Sequence, residues 1–480
     1  MRILNLEDLC SHGNINGRKL IVEILEAGLK AADPYNNTKM LMRIEGKKLI
    51  VGSNSFKPNG DPNNCEEIFD LDDIGRIYVL GAGKGVQRIA KAIEDVLGDH
   101  LTGGHVIDKK GNDLILEKIG VTFGAHPIPD EDCVKGCKRI LAIAQNLKKE
   151  DLVFTIAANG ISSLLTLPAP GVSLEDIREV TRIMQIEHGA PTSELNSIRN
   201  HLDLMKGGKI SKYLYPAKMV HIIAFPPGEY DSLLYKNSWL HTLPDYTTFQ
   251  DAVMTLKRWG VWDKIPHTVK SHLEKGNPEY ETPKANEFEK MSFRIFGVMP
   301  EKLSMLPSAE KKAMELGLKP IVLAKDLQAE ASQIGSIIAT IAVTSEKENQ
   351  PFQAPCALFT TGEALVTVGK EKGIGGRNQE YVLSAALKIS GSKRIIVGAV
   401  DSDGTDGPGS QLTVNSENIP CLAGGIVDGD TLNEAKQMGI DLRAELKKHN
   451  TSSALWKLKS GVVTNQNISL NDLGVTLILK

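Results

Sequence analysis

The feature that most constrains the fold is a repeated pattern: a short β-branched run, a glycine-rich break, and then a helical pattern. The run Arg76 to Leu80 breaks at Gly81-Ala-Gly83, and apolar residues recur at helical spacing from Gln87 to Leu97. Similar runs at Gly120 to Gly124 and Leu152 to Ile156 precede further helical patterns. Alternation of this kind predicts an α/β fold with a mostly parallel sheet covered by helices.

The chain of 480 residues is longer than one hydrophobic core usually organises, so two domains are expected. Between residues 236 and 299 the alternation weakens, and three of the four tryptophans lie there. We therefore predict a first α/β domain over 1–235, a helical extension and linker over 236–299, and a second α/β domain over 300–480. The segment from Pro34 to Asn64 is predicted to be a surface hairpin or mobile loop.

In the second domain we predict a helix from Leu327 to Val343 and four strands. The strands are Lys319 to Leu323, Ala357 to Thr361, Ala364 to Val368 and Arg394 to Val400.

Charge and composition exclude several classes of partner. The net charge is −3, which provides no global positive field for a nucleic acid or an anionic membrane. No apolar run is long enough to span a bilayer, so we expect a cytoplasmic protein that binds small molecules. Six thinly spread cysteines are expected to be reduced. A homodimer is compatible with the sequence, which does not define the assembly.

The loop Gly81-Ala-Gly-Lys-Gly85 is a candidate anion site. Glycines allow a sharp turn, the following helix start presents N–H groups, and Lys84 adds a full charge. The spacing is not that of a phosphate-binding P-loop, and Val86 replaces the third glycine of the dinucleotide fingerprint.

Two further polar segments follow in the first half of the chain. Asn159, Gly160 and Ser162 lie at another strand-to-helix junction and could hold phosphate oxygens or a hydroxy acid. Asn196 and Arg199 share one neighbourhood at helical spacing. A capped turn and a solvated polar helix face are the respective structural alternatives.

Two donor-rich or acidic loops lie in the second half. In Gly373-Ile-Gly-Gly-Arg-Asn-Gln-Glu380 the Arg377 guanidinium is suited to clamp a phosphate or carboxylate. The carboxylates of Asp401-Ser-Asp-Gly-Thr-Asp406 follow a predicted strand and suit Mg²⁺ or a hydroxyl group. The alternatives are a solvated helix start and an ordinary acidic turn.

Taken in order, these motifs resemble the glycerate 2-kinase family, also known as hydroxypyruvate reductase-like, whose second half is the MOFRL domain. The resemblance rests on Gly81-Ala-Gly-Lys84, His126-Pro-Ile-Pro-Asp130, Asn196-x-x-Arg199, Gly375-Gly-Arg-Asn-Gln-Glu380 and Asp403-Gly-Thr-Asp406. It implies a Rossmann-like doubly wound first domain, a MOFRL α/β second domain, and ATP-dependent, Mg²⁺-dependent phosphorylation of the 2-hydroxyl of D-glycerate or a related hydroxy acid.

The resemblance also implies roles for particular residues. The expected catalytic residues are Lys84, Arg377 and Asp403. Asp403 and Glu363 are the expected metal ligands. The expected substrate and phosphate ligands are Gly83, Asn159, Gly160, Ser162, Arg199, Gly376, Asn378 and Asp406.

The chain departs from the family pattern in two segments. Ile161 replaces a glycine, and Phe225-Pro-Pro-Gly228 replaces a segment that carries an aspartate. We expect the segment from Asn159 to Ser162 to set ligand choice, and we expect Ile161→Gly to cost little stability. A non-catalytic metabolite-binding protein stays open, as does a nicotinamide-dependent reductase. The latter is disfavoured by the broken fingerprint and by the lack of an acidic residue at the end of a second strand.

Overall fold

The computed structural model describes residues 1–369, 371, 373–407, 419–465 and 471–480. They form two compact units, one of residues 34–300 and one of residues 1–33 with 301–480. None of the helices in these ranges is long and apolar enough to cross a membrane. All six cysteines are free thiols.

The helices are α1 (Leu6–Leu9), α2 (Ile15–Ala31), α3 (Pro34–Leu41), α4 (Val86–Leu97), α5 (Glu131–Ala144), α6 (Ile161–Leu164), α7 (Leu174–Thr181), α8 (Thr192–His201), α9 (Lys209–Leu214), α10 (Tyr230–Tyr235), α11 (Phe249–Arg258), α12 (His267–Lys275), α13 (Ala285–Phe288), α14 (Met305–Glu315), α15 (Ala331–Glu348), α16 (Arg377–Ile389), α17 (Thr431–Gln437), α18 (Leu442–Lys447) and α19 (Thr451–Lys457).

The strands are β1 (Met42–Glu45), β2 (Lys48–Val51), β3 (Glu67–Asp70), β4 (Ile77–Ala82), β5 (Gly103–Lys109), β6 (Gly120–Gly124), β7 (Leu152–Ala157), β8 (Lys218–Ile223), β9 (Phe293–Gly297), β10 (Lys319–Leu327), β11 (Cys356–Gly362), β12 (Ile395–Asp401), β13 (Gly424–Asp428), β14 (Gly461–Val462) and β15 (Asp472–Ile478).

The unit of residues 34–300 is built on a six-stranded parallel sheet in the order β6-β5-β4-β7-β8-β9. Counted along the chain this is the order 3-2-1-4-5-6 of doubly wound nucleotide-binding folds, which confirms the predicted fold class. In such sheets ligands bind beyond the carboxyl ends of the strands, where β4 and β7 run side by side. A small antiparallel sheet of β1, β2 and β3 belongs to the same unit.

The other unit contains a mixed six-stranded sheet in the order β10-β11-β15-β12-β13-β14. Only β10 and β11 pair in parallel; the remaining neighbours are antiparallel. Alternate strand residues enter two hydrophobic clusters, one shared with α2 and α14 and the other with α15, α16 and α19. Helices therefore cover both faces of this sheet.

The amino-terminal helix α2 packs in the unit of residues 301–480, whereas the sequence placed it in the first domain. Arg18 on α2 is fully buried and donates through Nε to Asp428 of β13 at 2.6 Å. A Cβ at Gly17 would lie 2.3 Å from a methyl carbon of Ile396, so the helix packs directly on β12. A buried ion pair and apolar contact fix α2 to the mixed sheet.

Other segments also differ from the sequence-based expectation. Residues 236–299 supply helices α11 to α13 but also β9, the edge strand of the parallel sheet. The segment from Pro34 to Asn64, expected to be a surface hairpin or mobile loop, does contain a hairpin, the antiparallel pair β1 and β2, but it begins with the helix α3. The predicted strand Ala364 to Val368 is wrong: it makes a single bridge, Leu365 to Glu330, and its backbone joins the start of α15 instead of the sheet.

Candidate active site

The glycine-rich loop after β4 is held by its own unit. Four successive N–H groups already have acceptors: Gly83 donates to Ile107 O at 3.0 Å, Lys84 to Asn159 O at 2.7 Å, Gly85 to Asp108 Oδ1 at 3.0 Å and Val86 to Gly83 O at 3.2 Å. A backbone cradle for an anion, as expected from the sequence, would need these groups to be open. What the loop offers to a ligand is therefore the half-buried Lys84 side chain.

Asp108 corrects the expectation that no acidic residue ends a second strand. It lies near the end of β5, next to β4, where a dinucleotide-binding protein carries its ribose ligand. Its Oδ1 accepts from Gly85 and Asn112, and its Oδ2 accepts from the Gln87 amide. Asp108 is 1% exposed, so its carboxylate positions the loop and α4 rather than facing a ligand.

Three loops at the carboxyl edge of the parallel sheet meet closely. A Cβ at Gly83 would lie 2.5 Å from the Cβ of Ala158. At Gly160, where φ is +79°, a Cβ would lie 2.8 Å from His126 Cδ2 and 3.3 Å from Lys84 Cγ. Both glycines are needed for this approach, which brings Lys84, His126 and the loop after β7 together.

A cavity of about 430 Å³ opens beside these loops. Its lining includes His126, Asn159, Ser162, Asn196, Arg199 and Trp239, and none of the described residues that line it is acidic. The volume is that of a small-molecule site. Arg199 is its one charged lining residue in the described chain, so the cavity favours an anion.

Arg199 and Asn196 lie one turn apart on α8 and are both buried. Arg199 makes only two long contacts, with Thr181 Oγ1 and Gln185 Oε1, each at 3.4 Å, and forms no ion pair within the described chain. Burial lowers its pKa to about 10. Both polar atoms of the Asn196 amide lack a hydrogen-bond partner among the described residues. Buried polar groups are normally satisfied, so this pair indicates a ligand.

Ser162 is oriented by a histidine distant in sequence. The N–H of Gly207 points to His241 Nδ1 at 3.4 Å, so the proton is on Nε2, which lies 2.8 Å from Ser162 Oγ. His241 is fully buried, and burial with Lys206 and Arg199 nearby lowers its pKa well below the usual range. It is therefore a neutral donor to Ser162, whose own hydroxyl proton is left to donate elsewhere.

His126 is also neutral. Burial, together with the charges of Lys84, Lys109 and Arg199, lowers the pKa of His126 to about 3. The cavity thus gains no positive charge from its histidines at neutral pH.

In the unit of residues 1–33 and 301–480, three carboxyl groups surround the guanidinium of Arg377. Arg377, the first residue of α16, donates through Nε to Asp472 at 2.6 Å, through Nη2 to Asp401 at 2.8 Å and through Nη1 to Glu363 at 3.2 Å. Burial raises the pKa of Asp401 well above its usual range, and the neighbouring Asp403 and Asp472 add to the effect. Three carboxyl groups of the described residues thus share one cation, and the raised pKa favours the neutral form of Asp401.

Asp406 caps α16. Its two carboxylate oxygens accept the backbone N–H groups of Asn378 and Gln379 at 3.1 and 2.9 Å. Burial, with Asp472 nearby, raises its pKa to about 7. A Cβ at Gly376 would lie 2.3 Å from the carbonyl oxygen of Asp406, so this glycine permits loop packing rather than ligand approach.

Comparison with known proteins matches both halves of the chain. Residues 20–274 match a domain of unknown function (DUF4147), and residues 356–469 match the MOFRL family. The chain is 33% identical to the glycerate 2-kinase of Pyrococcus horikoshii over 441 residues, covering 92% of each chain. It is 32% identical to the D-glycerate 2-kinase of Thermotoga maritima, covering 85% of this chain and 92% of the relative. This chain belongs to the glycerate 2-kinase family.

The fold agrees with that membership. The crystal structure of the Thermotoga maritima glycerate kinase superposes with a TM-score of 0.74 at 30% identity, covering 96% of this chain and 99% of that chain. The two-unit α/β organisation described above is thus that of a glycerate kinase.

The residues expected from the family motifs fall into two groups. In the unit of residues 34–300, Gly83, Lys84, Asn159, Gly160, Ser162 and Arg199 lie in or beside the cavity. In the other unit, Glu363, Gly376, Arg377, Asn378, Asp403 and Asp406 lie around the start of α16 and the end of β12.

Three polar residues that lie next to these two groups, one or two in each unit, were not assigned from sequence. Asn196 was noted for its spacing only. His241 lay in the predicted linker, and Asp472 lies in a strand that no motif marked. A polar residue at the start of an otherwise apolar strand, as in Asp472-Leu-Gly-Val, was the one local signal available.

The acidic residues near Arg377 fit a partly protein-bound Mg²⁺. No three acidic, histidine or cysteine side chains of the described residues form a ready metal cage. Mg²⁺ on a nucleotide usually takes only one or two carboxylates and draws its remaining ligands from phosphates and water. Half-buried Asp403 and exposed Glu363 have the right chemistry for that limited role.

Proposed function

We propose that this protein is a glycerate 2-kinase that transfers a phosphoryl group from ATP to the 2-hydroxyl of D-glycerate. The similarity to glycerate 2-kinases over nine-tenths of the chain carries this proposal. The parallel sheet and its anion-favouring cavity support it, since both substrates are anions.

Lys84 is proposed to neutralise charge on the transferring phosphoryl group. Phosphoryl transfer depends mainly on positioning and on stabilisation of charge that develops on the phosphate oxygens. Lys84 lies on a loop whose backbone bonds are complete, and its stem lies beside Gly160 and His126. The loop therefore holds the ammonium group at the carboxyl edge of the sheet.

Asp403 is proposed to hold Mg²⁺, with Glu363 as a second candidate ligand. When bound, Mg²⁺ would neutralise phosphate charge. Arg377 orients Asp401, Asp472 and Glu363 by direct hydrogen bonds, which use three of its five N–H groups within the described part of the chain. The other two are proposed to bind an anionic group. Asn378, Gly376 and Asp406 support this arrangement by fixing the start of α16 to the loop after β12.

The departures from the family pattern do not remove the groups on which this proposal rests. Ile161 is 3% exposed and packs in the core under the parallel sheet, and it belongs to the first turn of a right-handed helix that needs no glycine. The reductase alternative gains no support, because the Asp108 carboxylate is already occupied.

A coupled assay with D-glycerate, ATP and Mg²⁺, followed by ³¹P NMR of the product, tests the proposal. We expect 2-phosphoglycerate. A product phosphorylated at the 3-hydroxyl would contradict the proposed transfer to the 2-hydroxyl. Absence of turnover with ATP, other nucleotides and a panel of hydroxy acids would favour the non-catalytic alternative.

A further inference from the structure

The cavity beside the sheet contains a buried polar pair with unused hydrogen-bonding capacity. Arg199 is 6% exposed and Asn196 is fully buried, and both line the cavity. Arg199 has no carboxylate partner in the described chain, and neither Nδ2 nor Oδ1 of Asn196 has any partner. Leaving such groups unsatisfied costs free energy. Asn196 differs from the other unpartnered buried side chains of the described residues in that it lines the cavity, where a ligand can satisfy it.

The two free atoms of Asn196 define the chemistry of the ligand. Nδ2 donates and Oδ1 accepts, whichever way the amide is turned. A fully ionised phosphate offers acceptors only and would leave the Oδ1 atom unsatisfied. An α-hydroxy carboxylate offers carboxylate oxygens to Arg199 and Nδ2, and a hydroxyl proton to Oδ1.

Ser162 adds a third group with a defined direction. Because the neutral His241 donates to its oxygen at 2.8 Å, the Ser162 hydroxyl proton is available to a carboxylate oxygen in the cavity. No acidic residue among the described lining residues would repel that carboxylate.

We propose that Arg199 and Asn196 bind the carboxylate and an adjacent hydroxyl of the acceptor acid, with Ser162 as a further donor. This inference rests on the proposed kinase function and assigns the acceptor, rather than the nucleotide, to this cavity. Asn196 is thereby a specificity-determining residue for hydroxy acids.

Two variants test the pair with little change in shape. Arg199→Met removes the charge, and Asn196→Leu removes both polar atoms while keeping similar volume. We expect each to raise the KM for D-glycerate by about tenfold or more while the KM for ATP changes less than about twofold. Because Asn196 has no partner to lose, Asn196→Leu should not lower the melting temperature.

Asn200, one turn further along α8, is the matched control. Asn200 is fully buried and does not line the cavity. Its Nδ2 donates to Ser238 O at 2.8 Å and to Asp245 at 3.0 Å, and its Oδ1 has no partner among the described residues. Asn200→Leu should lower the melting temperature and leave the KM for D-glycerate within about twofold. This outcome is opposite to that expected for Asn196→Leu.

Calorimetric titration of the full chain with D-glycerate, glycerol and ATP, each alone, separates this inference from the proposed function. We expect D-glycerate to bind the wild-type protein and glycerol not to bind. The variants Arg199→Met and Asn196→Leu should lose affinity for D-glycerate, and Asn200→Leu should keep it. Wild type that binds D-glycerate but phosphorylates nothing would leave the carboxylate site standing and remove the kinase function. An active enzyme in which Arg199→Met and Asn196→Leu keep the KM for D-glycerate, or lose ATP affinity instead, would overturn the inference. Wild type that neither binds nor phosphorylates D-glycerate would overturn both.

Discussion

The two units differ in how they pair one buried or half-buried arginine each, Arg199 in one unit and Arg377 in the other. In the unit of residues 34–300, Arg199 is buried without a carboxylate, and the cavity it lines has no acidic residue in the described chain. In the other unit, Arg377 is shared by three carboxylates, and Asp406 lies close by. The Arg199 charge is therefore unpaired by any carboxylate of the described residues, whereas the Arg377 charge maintains the local structure.

Replacement of Arg377 should have the largest effect, because it acts on both structure and activity. Arg377→Ala leaves Asp401 and Asp472 buried without their cation, which we expect to destabilise the protein by about 3–5 kcal/mol. Activity should also be lost. Urea unfolding and kcat/KM measure the two effects, with exposed Arg443→Ala as control. Full stability with lost activity would show that Arg377 serves the ligand alone.

Replacement of Lys84 should separate activity from stability. Lys84→Ala is expected to lower kcat/KM by about 100- to 1,000-fold, since a charge that stabilises the transition state is removed. Its loop is held through backbone groups, so the free energy of unfolding should change by less than about 1 kcal/mol. A variant with wild-type kcat/KM would exclude Lys84 from the mechanism.

Truncation of Ile161 should affect both stability and ligand choice, because this side chain packs in the core and also lines the cavity. The sequence suggested that removing this side chain would cost little stability, but it is 3% exposed and packs in the core. We expect Ile161→Ala to lower stability by about 2–4 kcal/mol. A hydroxy-acid panel should show wider acceptance, because Ile161 also lines the cavity. If the variant is less stable but accepts the same hydroxy acids as the wild type, Ile161 contributes to the core and not to ligand choice.

Acidification should lower the stability of the unit of residues 34–300 but not that of the other unit. Burial lowers the pKa of His126 and His221 to about 3 and that of His241 well below the usual range. Below about pH 6.5 the unfolded chain therefore binds protons that the folded unit excludes, and its stability falls.

The buried carboxyl groups around the start of α16 in the other unit have raised pKa values, so their effect on stability depends on pH in the opposite direction. The pKa of Asp406 is raised to about 7, so stability from this group is lost as pH rises through 7 and is present at lower pH. From pH 7 to 5 we expect the parallel sheet to lose roughly 2 kcal/mol of protection for each of His126 and His221, and the mixed sheet to lose none. Hydrogen exchange resolved by peptide, corrected for intrinsic rates, would measure this. Equal loss in both sheets would contradict the contrast.

The smallest effect is expected at Glu363. Its side chain is 65% exposed and meets Arg377 at 3.2 Å, so Glu363→Gln should change stability by less than about 1 kcal/mol. If Glu363 binds Mg²⁺, the Mg²⁺ concentration for half-maximal activity should rise several-fold; no rise would leave Asp403 as the candidate ligand.

The sequence predicted those parts of the site that leave a local signature. Glycines and charges at strand ends identified the loops carrying Lys84 and Arg377, and periodicity identified β4, β7, α4 and α16. The strand β5, Gly103-Gly-His-Val-Ile-Asp-Lys109, was missed because its glycines and charged residues obscure the strand pattern.

Contacts between distant positions could not be predicted. His241 is 79 positions from Ser162, and Asp472 is 95 positions from Arg377. Tertiary packing makes these pairs, and no spacing rule links them. For the same reason the sequence could not show that the backbone donors of the Lys84 loop already have acceptors elsewhere in the sheet.

The position of β15 has a consequence for biosynthesis. This strand, residues 472–478, is inserted between β11 and β12 and hydrogen-bonds to both. During translation, residues 34–300 can fold early, but α2, β11 and β12 must wait for the last strand to leave the ribosome. Until then two unpaired apolar strand edges are exposed to solvent, so this half of the nascent chain has the greater need of chaperones.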